Sequence, residues 1–330
     1  MPSPVFFYKY FDFVVASGIP LPELPLAEGE LPLFDVRKVG NRPEWLERSD
    51  WDWNWQEPGG EIFLSVAREV DRVLLRFPDV LDVEYRMADS LIELFPAKEV
   101  LDATIRHLVL DHVLPRLVSY QGRFVLHASG VADSECTILF LGPTGAGKST
   151  LAASFIEDGL GLLTDDCVLL QSSEDGFSAQ AAYAGLRLWP DSFAGLKPDE
   201  QPEPESHEGG WKRRLDIESM AGGPYKVRGI FILDSPTEGS PGGGVAVHPI
   251  EGADALMELL QHGFMLDPGD RDTIERQFLA TGDVVEALPL YRLSYPRDFS
   301  RLPQVRQIIA STLEDSGSTW AMSWEGLGIS

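Results

Sequence analysis

The clearest periodic pattern in the first hundred residues is an alternation of apolar and charged side chains. The apolar positions are Leu81, Val83, Tyr85 and Met87. This spacing is typical of a strand with one buried face, and a polar stretch at 88–90 followed by the apolar run 91–95 completes a predicted β-hairpin. Weaker strand patterns cover 6–15 and 33–39, separated by a proline-rich segment. Residues 1–99 are therefore predicted to form a smaller, mainly β domain.

From residue 100 the spacing of apolar residues becomes helical. Leu101, Ile105, Leu108, Val109 and Leu117 predict a helix that leads into a second domain. Strands and helices alternate after it. The predicted strands are 124–128, 136–141, 229–233 and 288–294. The predicted helices of the C-terminal part are 252–261, 271–281 and 302–313. This order predicts an α/β domain over residues 100–330.

A glycine-rich motif at 142–149 fits the pattern G-x-x-x-x-G-K-[ST] of a P-loop, between an apolar strand and a predicted helix. In such a loop main-chain N–H groups surround a phosphate, Lys148 reaches the β and γ phosphates, and the Ser149 hydroxyl ligates Mg²⁺. The predicted nucleotide-binding residues here are Gly142, Pro143, Thr144, Gly145, Ala146, Gly147, Lys148, Ser149 and Thr150. ATP and Mg²⁺ are the predicted cofactors.

Two adjacent carboxylates, Asp165 and Asp166, follow a second apolar segment at 160–163. One carboxylate could ligate the metal, and the other could take a proton from an attacking hydroxyl. Neighbouring residues in a strand face opposite ways, so the pair must lie in a turn or divide its roles. The residues alone leave open which aspartate has which role.

Basic residues are few, and three are candidates to contact phosphate groups. Arg187 could stabilise the transferring phosphoryl group, and Arg213 and Arg214 could hold ATP phosphates. The alternative for Arg213 and Arg214 is a surface patch that pairs with nearby glutamates, where such pairs contribute little.

The histidines give no metal-binding pattern. His107 and His112 are five residues apart on a predicted helix and are not expected to share a face, and His262 is isolated in the sequence. No zinc site is predicted.

Three segments together resemble a known family. The run Leu126-His127-Ala128-Ser129, the glycine-rich motif, and Leu163-Thr164-Asp165-Asp166 are similar to the catalytic domain of HPr kinase/phosphorylase, a bacterial P-loop enzyme that phosphorylates a serine of a protein. The resemblance covers about residues 120–175. It implies the P-loop fold of the C-terminal domain of HPr kinase, a general-base role for Asp165, and a position in the active site for His127. With Asp165 as the base, Asp166 is assigned to the metal together with Ser149. It also implies ATP-dependent phosphotransfer to an alcohol group.

Other segments depart from HPr kinases proper. Thr150 stands where those enzymes usually have Glu, and Gly-Leu-Arg-Leu-Trp at 185–189 stands where they have Glu-Ile-Arg-Gly. The segments 185–190 and 212–215 instead resemble a broader related group that includes kinases of peptide precursors. The expected partner is a protein or peptide that carries a serine, and related enzymes suggest a homo-oligomer. A kinase of a small-molecule hydroxyl and a nucleotide-dependent binding module remain alternatives.

Composition and charge limit the classes of partner. The 330 residues carry 27 Lys and Arg against 52 Asp and Glu, a formal net charge of −25. Such a surface repels phosphate backbones and anionic lipids, so neither nucleic acid nor a membrane is an expected partner. The sequence shows neither a recognisable signal peptide nor an apolar run of ~20 residues, so a cytoplasmic protein is expected.

Overall fold

The protein forms two compact units. The computed structural model describes residues 4–29, 31–40, 43–57, 59–174, 176–183, 185–188, 190–196, 213–215, 223–234 and 244–315. Unit 1 comprises Met1–Gly122 and Phe264–Arg276, and unit 2 comprises Arg123–Gly263 and Gln277–Ser330. The sequence-based division into 1–99 and 100–330 is a different partition, and it stays a prediction.

Unit 1 is built on a mixed sheet that has eight strands among the described residues, in the order β1-β2-β3-β8-β7-β6-β5-β4. The strands are β1 (Phe6–Tyr10), β2 (Phe13–Ser17), β3 (Phe34–Lys38), β4 (Trp53–Gln56), β5 (Ile62–Arg68), β6 (Arg72–Phe77), β7 (Leu81–Arg86) and β8 (Leu91–Pro96). The predicted hairpin is confirmed, because β7 and β8 pair antiparallel with Val83 opposite Leu94. A short 3-10 helix, Glu44–Glu47, precedes β4.

The helical segment after residue 100 belongs to unit 1 and changes its winding halfway. It consists of α1 (Asp102–Leu108), a π-helical turn (Val109–Val113) and α2 (Leu114–Tyr120). Because a π-turn aligns residues five apart, the rings of His107 and His112 lie with centroids 5.6 Å from each other. The expectation that these histidines do not share a face is wrong. Within the described ranges, however, no group of three or more His, Cys, Asp or Glu residues could hold a metal ion.

The second segment of unit 1, Phe264–Arg276, is joined to the first by hydrogen bonds. The Ser119 hydroxyl donates to the Phe264 carbonyl oxygen at 2.6 Å. The Arg68 guanidinium donates to the Asp267 carboxylate at 3.1 Å. Unit 1 is therefore built from two separate segments of the chain. The second segment comes after most of unit 2 in the sequence.

Unit 2 is built on a second mixed sheet, nine-stranded in the part of the chain that is described. Its order is β12-β10-β11-β17-β14-β13-β9, with β19 paired to β17 and β18 paired to β19. The strands are β9 (Phe124–Leu126), β10 (Ser129–Ala132), β11 (Cys136–Leu141), β12 (Gly161–Thr164), β13 (Val168–Ser173), β14 (Gly176–Ala181), β17 (Tyr225–Leu233), β18 (Ala246–Ile250) and β19 (Leu290–Ser294). A separate two-stranded sheet pairs β15 (Leu186–Leu188) with β16 (Arg213–Leu215).

Four strands of unit 2 place their carboxyl ends along one edge of the sheet. β10 is antiparallel to both β11 and β12, so β11 and β12 run in the same direction. β17 is parallel to β11, and β19 is parallel to β17. In open α/β sheets ligands bind outside the carboxyl ends of strands, so this edge is where a ligand site is expected.

Helices cover both faces of this sheet. The helices of this part of the chain are α3 (Lys148–Glu157), α4 (Pro190–Leu196), α5 (Gly252–Leu260), α6 (Arg271–Ala287) and α7 (Leu302–Asp315), with a 3-10 helix at Phe299–Arg301. Phe140 of β11 packs in one core with α3 and α7, whereas Leu139 and Leu141 pack in another with α5 and α6. Successive side chains of β11 thus point into two different cores, so both faces of the sheet are buried. The predicted α/β class is confirmed.

None of the helices in the described part of the chain combines the length and the apolar character needed to cross a membrane. The longest, α6, has 17 residues and carries charged side chains along its length.

Candidate functional site

A glycine-rich loop, residues 142–147, connects β11 to α3, as the motif predicts. Gly142 has φ +146°, and a Cβ atom there would lie 2.9 Å from the Leu233 carbonyl oxygen, so the loop can pass β17 only without a side chain. Gly147 is left-handed with φ +93° and is the N-cap of α3. The loop therefore turns tightly from the end of a buried strand into the start of a helix.

The N-terminus of α3 borders a cavity of about 240 Å³ in unit 2. The first N–H groups of a helix have no acceptor within it, and the helix dipole favours negative charge there. The cavity is lined by His127, Thr144, Gly145, Ala146, Gly147, Lys148, Ser149, Thr150, Asp165, Asp166, Leu188, Asp191, Ser192, Tyr295, Arg297, Asp298, Phe299 and Leu302. The predicted residues 144–150, both aspartates and His127 thus lie around one space. Gly142 and Pro143 form the start of the loop.

Lys148 is held by its own loop. Its side chain is nearly buried, and Nζ donates to the carbonyl oxygens of Gly142 at 2.6 Å and Pro143 at 3.3 Å. An anion that enters the cavity would compete with these neutral acceptors for the ammonium group, and a charged acceptor makes the stronger hydrogen bond.

The two aspartates follow β12 in a bend, and both line the cavity. The structure therefore has the turn that two adjacent carboxylates at one site require. Asp165 is 4% exposed and accepts a hydrogen bond of 2.5 Å from the Ser129 hydroxyl to its Oδ1 atom. Asp166 is only partly buried. One carboxylate is thus enclosed and oriented, and its neighbour is more open to solvent.

His127 is oriented by main-chain groups on both sides. Its Nδ1 atom lies 2.8 Å from the Asp166 carbonyl oxygen, and its main-chain N–H donates to the His262 carbonyl oxygen at 2.8 Å. A carbonyl oxygen can only accept, so Nδ1 carries a proton and donates it to this hydrogen bond.

The three arginines predicted to bind phosphate are described by their backbones alone. Arg187 lies opposite Arg214 in the pairing of β15 with β16, and Leu188 lies opposite Arg213. Leu188 lines the cavity, which brings the strand of Arg187 to the site. The side chains of Arg187, Arg213 and Arg214 lie outside the described part, so their roles stay predictions.

Sequence reasoning missed a segment that follows β19. Arg297 donates to the Gly145 carbonyl oxygen at 2.7 Å and to the Asp234 carbonyl oxygen at 3.3 Å. Burial raises the pKa of Tyr295 to about 12, against the opposing effect of Arg297, so its hydroxyl stays protonated. Phe299 also lines the cavity. The signal that could have identified this segment is its position directly after a parallel strand.

His262 was judged isolated in the sequence, but the structure places it next to His127. Its carbonyl oxygen contacts His127, and Gly263 forms a bridge with Leu126. Burial first, and then the nearby positive charge of Lys148, lower the pKa of His262 to about 4, although Glu258 opposes the shift. The imidazole is therefore neutral at physiological pH.

Comparison with known proteins gives little beyond this geometry. The sequence matches no protein-family model, and a search of curated proteins found no match. Among solved structures, the HPr(Ser) kinase/phosphatase from Coxiella burnetii aligns with 58% of this chain and 98% of its own, at 12% identity and a TM-score of 0.32. A TM-score of this size does not establish a shared fold. The similarity to this kind of enzyme therefore depends on the residues of the motifs.

Proposed function

We propose that this protein is an ATP-dependent kinase with a P-loop catalytic domain. It transfers the γ-phosphoryl group of ATP to a serine, or a similar hydroxyl, of a protein or peptide. One observation carries the proposal: the glycine-rich loop with Lys148 and the enclosed carboxylate of Asp165 border the same cavity, at the carboxyl edge of the sheet. Phosphoryl transfer requires positioning and charge compensation more than covalent chemistry, and these groups are suited to both.

The polyphosphate is bound by the loop and the start of α3. The fixed N–H groups of the helix N-terminus and the ammonium group of Lys148 provide local positive potential within a chain whose net charge is −25. Gly147 permits the left-handed backbone that begins the helix. Thr150, Arg213 and Arg214 are the further residues proposed to contact phosphate groups.

The donor set fits Mg²⁺. The ion prefers oxygen ligands and is usually held by one or two carboxylates together with substrate phosphates, and the Ser149 hydroxyl and the Asp166 carboxylate line one cavity. When bound, Mg²⁺ neutralises charge on the β and γ phosphate oxygens.

Asp165 is the proposed general base. Its carboxylate takes the proton of the acceptor hydroxyl while the acceptor oxygen bonds to the γ phosphorus, and the bond between that phosphorus and the bridging oxygen of ADP breaks. Lys148 and Arg187 stabilise the charge on the group in transfer. His127 is the remaining proposed active-site residue, and it lines the same cavity.

A protein or peptide is the proposed acceptor, and assembly as a homo-oligomer is proposed with it. The two alternatives, a kinase of a small-molecule hydroxyl and a nucleotide-dependent binding module, are separable from it by experiment. With γ-labelled ATP and cell extract, label on a protein or peptide supports the proposal, and label on small solutes makes the protein a small-molecule kinase. Turnover that stays slow while ATP changes the affinity for a partner would indicate a binding module.

The test of the chemistry is Asp165→Asn in the full chain. ATP affinity should persist, and transfer should fall at least ~10²-fold, which is the low end for a positioned base. Asp254→Asn, an exposed carboxylate of α5, is the matched control and should leave transfer unchanged. Unchanged turnover in Asp165→Asn would remove Asp165 from this role.

A further inference from the structure

Part of the cavity wall is apolar, and phosphate chemistry does not use it. Leu188, Tyr295, Phe299 and Leu302 line the cavity beside the polar groups already described. We call these four residues the apolar wall. Phe299 is 38% exposed, so its ring is accessible to a ligand.

Tyr295 of the apolar wall and the aspartate pair follow strands that lie on opposite sides of β11, the strand that leads into the glycine-rich loop. Along the carboxyl edge the strands run β12, β10, β11, β17, β19. Asp165 follows β12 and Tyr295 follows β19, each two strands from β11 and so roughly 10 Å from it. A ligand with its phosphates on the loop therefore has carboxylates towards one end and an apolar surface towards the other.

Hydrogen bonds and packing fix the apolar wall to the loop. Arg297 donates to Gly145, and the Asp298 side chain accepts from the Ser300 N–H at 2.9 Å to cap the 3-10 helix that begins at Phe299. The Phe299 ring packs on Gly195, where a Cβ atom would overlap it. A surface held in this way loses little freedom when a flat ring stacks on it, which favours binding.

The Thr150 hydroxyl donates to the Ser192 hydroxyl at 3.0 Å, so the start of α3 is also joined to α4. Gly195, beneath Phe299, belongs to the same helix. The start of α3, at the proposed phosphate site, and the Phe299 ring thus both contact α4. These contacts fix the distance between the phosphate site and the ring.

We propose that the apolar wall binds the base of the phosphoryl donor, with Phe299 as its stacking ring, so that the site selects a nucleoside triphosphate over an inorganic polyphosphate. This inference rests on the proposed function, because it requires the phosphates to lie on the glycine-rich loop. Flat aromatic bases stack favourably on aromatic side chains, and an inorganic chain has no group that could use this surface.

Equilibrium binding of ATP and of inorganic tripolyphosphate to the full chain, both with Mg²⁺ present, tests the inference. The wild type should bind ATP more tightly. Phe299→Ala should weaken ATP by about tenfold and leave tripolyphosphate unchanged, since a base stacked on an aromatic side chain contributes about this much. Lys148→Ala should weaken both ligands. Phe278→Ala, an exposed phenylalanine of unit 2 outside the cavity, is the matched control and should weaken neither.

The outcomes separate the two proposals. If the wild type binds both ligands with equal affinity, or Phe299→Ala affects them equally, the base site is wrong and the kinase proposal stands. If the wild type binds neither ligand, the proposed function fails and the base site with it. Phe299→Leu keeps an apolar side chain but lacks the ring. It serves as a second variant in case Phe299→Ala does not fold. Phe299→Leu should also weaken the binding of ATP but not of tripolyphosphate. Unchanged binding of tripolyphosphate shows that the glycine-rich loop is intact.

Discussion

The Ser129 hydroxyl donates a hydrogen bond of 2.5 Å to Oδ1 of Asp165, and both side chains are buried. The contact follows from the sheet, since β10 and β12 are neighbours with Gly130 opposite Thr164. A buried carboxylate without such a donor would carry the cost of its lost hydration. Ser129 therefore positions the proposed general base.

Ser129→Ala tests this role. Hydrogen bonds to charged groups contribute about 1.5–3 kcal/mol, so kcat should fall by at least about tenfold while the KM for ATP stays the same. Steady-state kinetics separate the two constants. The control is Ser154→Ala, a buried serine whose hydroxyl donates to the Leu151 carbonyl oxygen within α3, and it should not lower kcat. Equal effects of the two variants would contradict a positioning role.

Gly147 and Gly145 form a second matched pair. Both have positive φ, so alanine at either costs about 1–2 kcal/mol. A Cβ atom at Gly147 would also lie 3.2 Å from the Tyr295 hydroxyl and from Nη1 of Arg297, whereas at Gly145 it would meet open space. Gly147→Ala should therefore lower the free energy of unfolding more than Gly145→Ala. Denaturant unfolding measures both, and equal losses would argue against the contact with the segment after β19.

His262 should report the charge of Lys148. Because Lys148 contributes to the low pKa of His262, Lys148→Ala should raise that pKa, and it should stay below 6.5 because burial is the larger cause. NMR titration of the imidazole protons measures it. Lys226→Ala is the control, since Lys226 pairs with Cys136 at the opposite end of β11 and should leave the titration unchanged. If His262 titrates identically in the wild type and in Lys148→Ala, the ammonium group of Lys148 is not close enough to the imidazole to affect its pKa.

The same imidazole predicts a loss of stability in acid. With a pKa of about 4 when folded and 6.5 when unfolded, His262 takes up a proton only in the unfolded chain between these values. The free energy of unfolding should therefore fall as pH drops from 6.5 towards 4, by at most about 3 kcal/mol from this group. In His262→Asn this part of the loss should be absent in denaturant unfolding at pH 7 and pH 4.5. If His262→Asn loses as much stability between pH 7 and pH 4.5 as the wild type does, other groups cause the loss.

Local patterns were sufficient for the elements that carry the proposed chemistry. The strand β7 and the helix α7 depend on patterns among residues close in sequence, and the structure has both elements. The single buried face expected for β7 is wrong, because Asp82 and Glu84 are buried as well and pair with Arg76 and Arg72 of β6. The glycine-rich motif likewise predicts a strand, a tight turn and a helix, and residues 136–157 form them. For the carboxylate pair, the period of a strand left two possibilities, a turn or divided roles, and the structure has a bend there.

Contacts that depend on topology could not be predicted in this way. Arg297 reaches Gly145 only because β17 pairs parallel with both β11 and β19, and the two residues are 152 positions apart. The meeting of His107 with His112 depends on a π-turn, whose period differs from the one assumed for a helix. In both cases the sequence shows the residue types, and the backbone path decides which of them meet.

The two-part make-up of unit 1 affects how the chain folds as it is made. Residues up to Gly122 leave the ribosome first, but Phe264 and Asp267, which Ser119 and Arg68 bind, are translated only after Gly263. At ~5–20 residues per second this interval lasts on the order of ten seconds. Until then unit 1 lacks the segment that Ser119 and Arg68 bind. Fragments cut at residue 122 would keep that gap permanently, so functional assays belong on the uncut polypeptide.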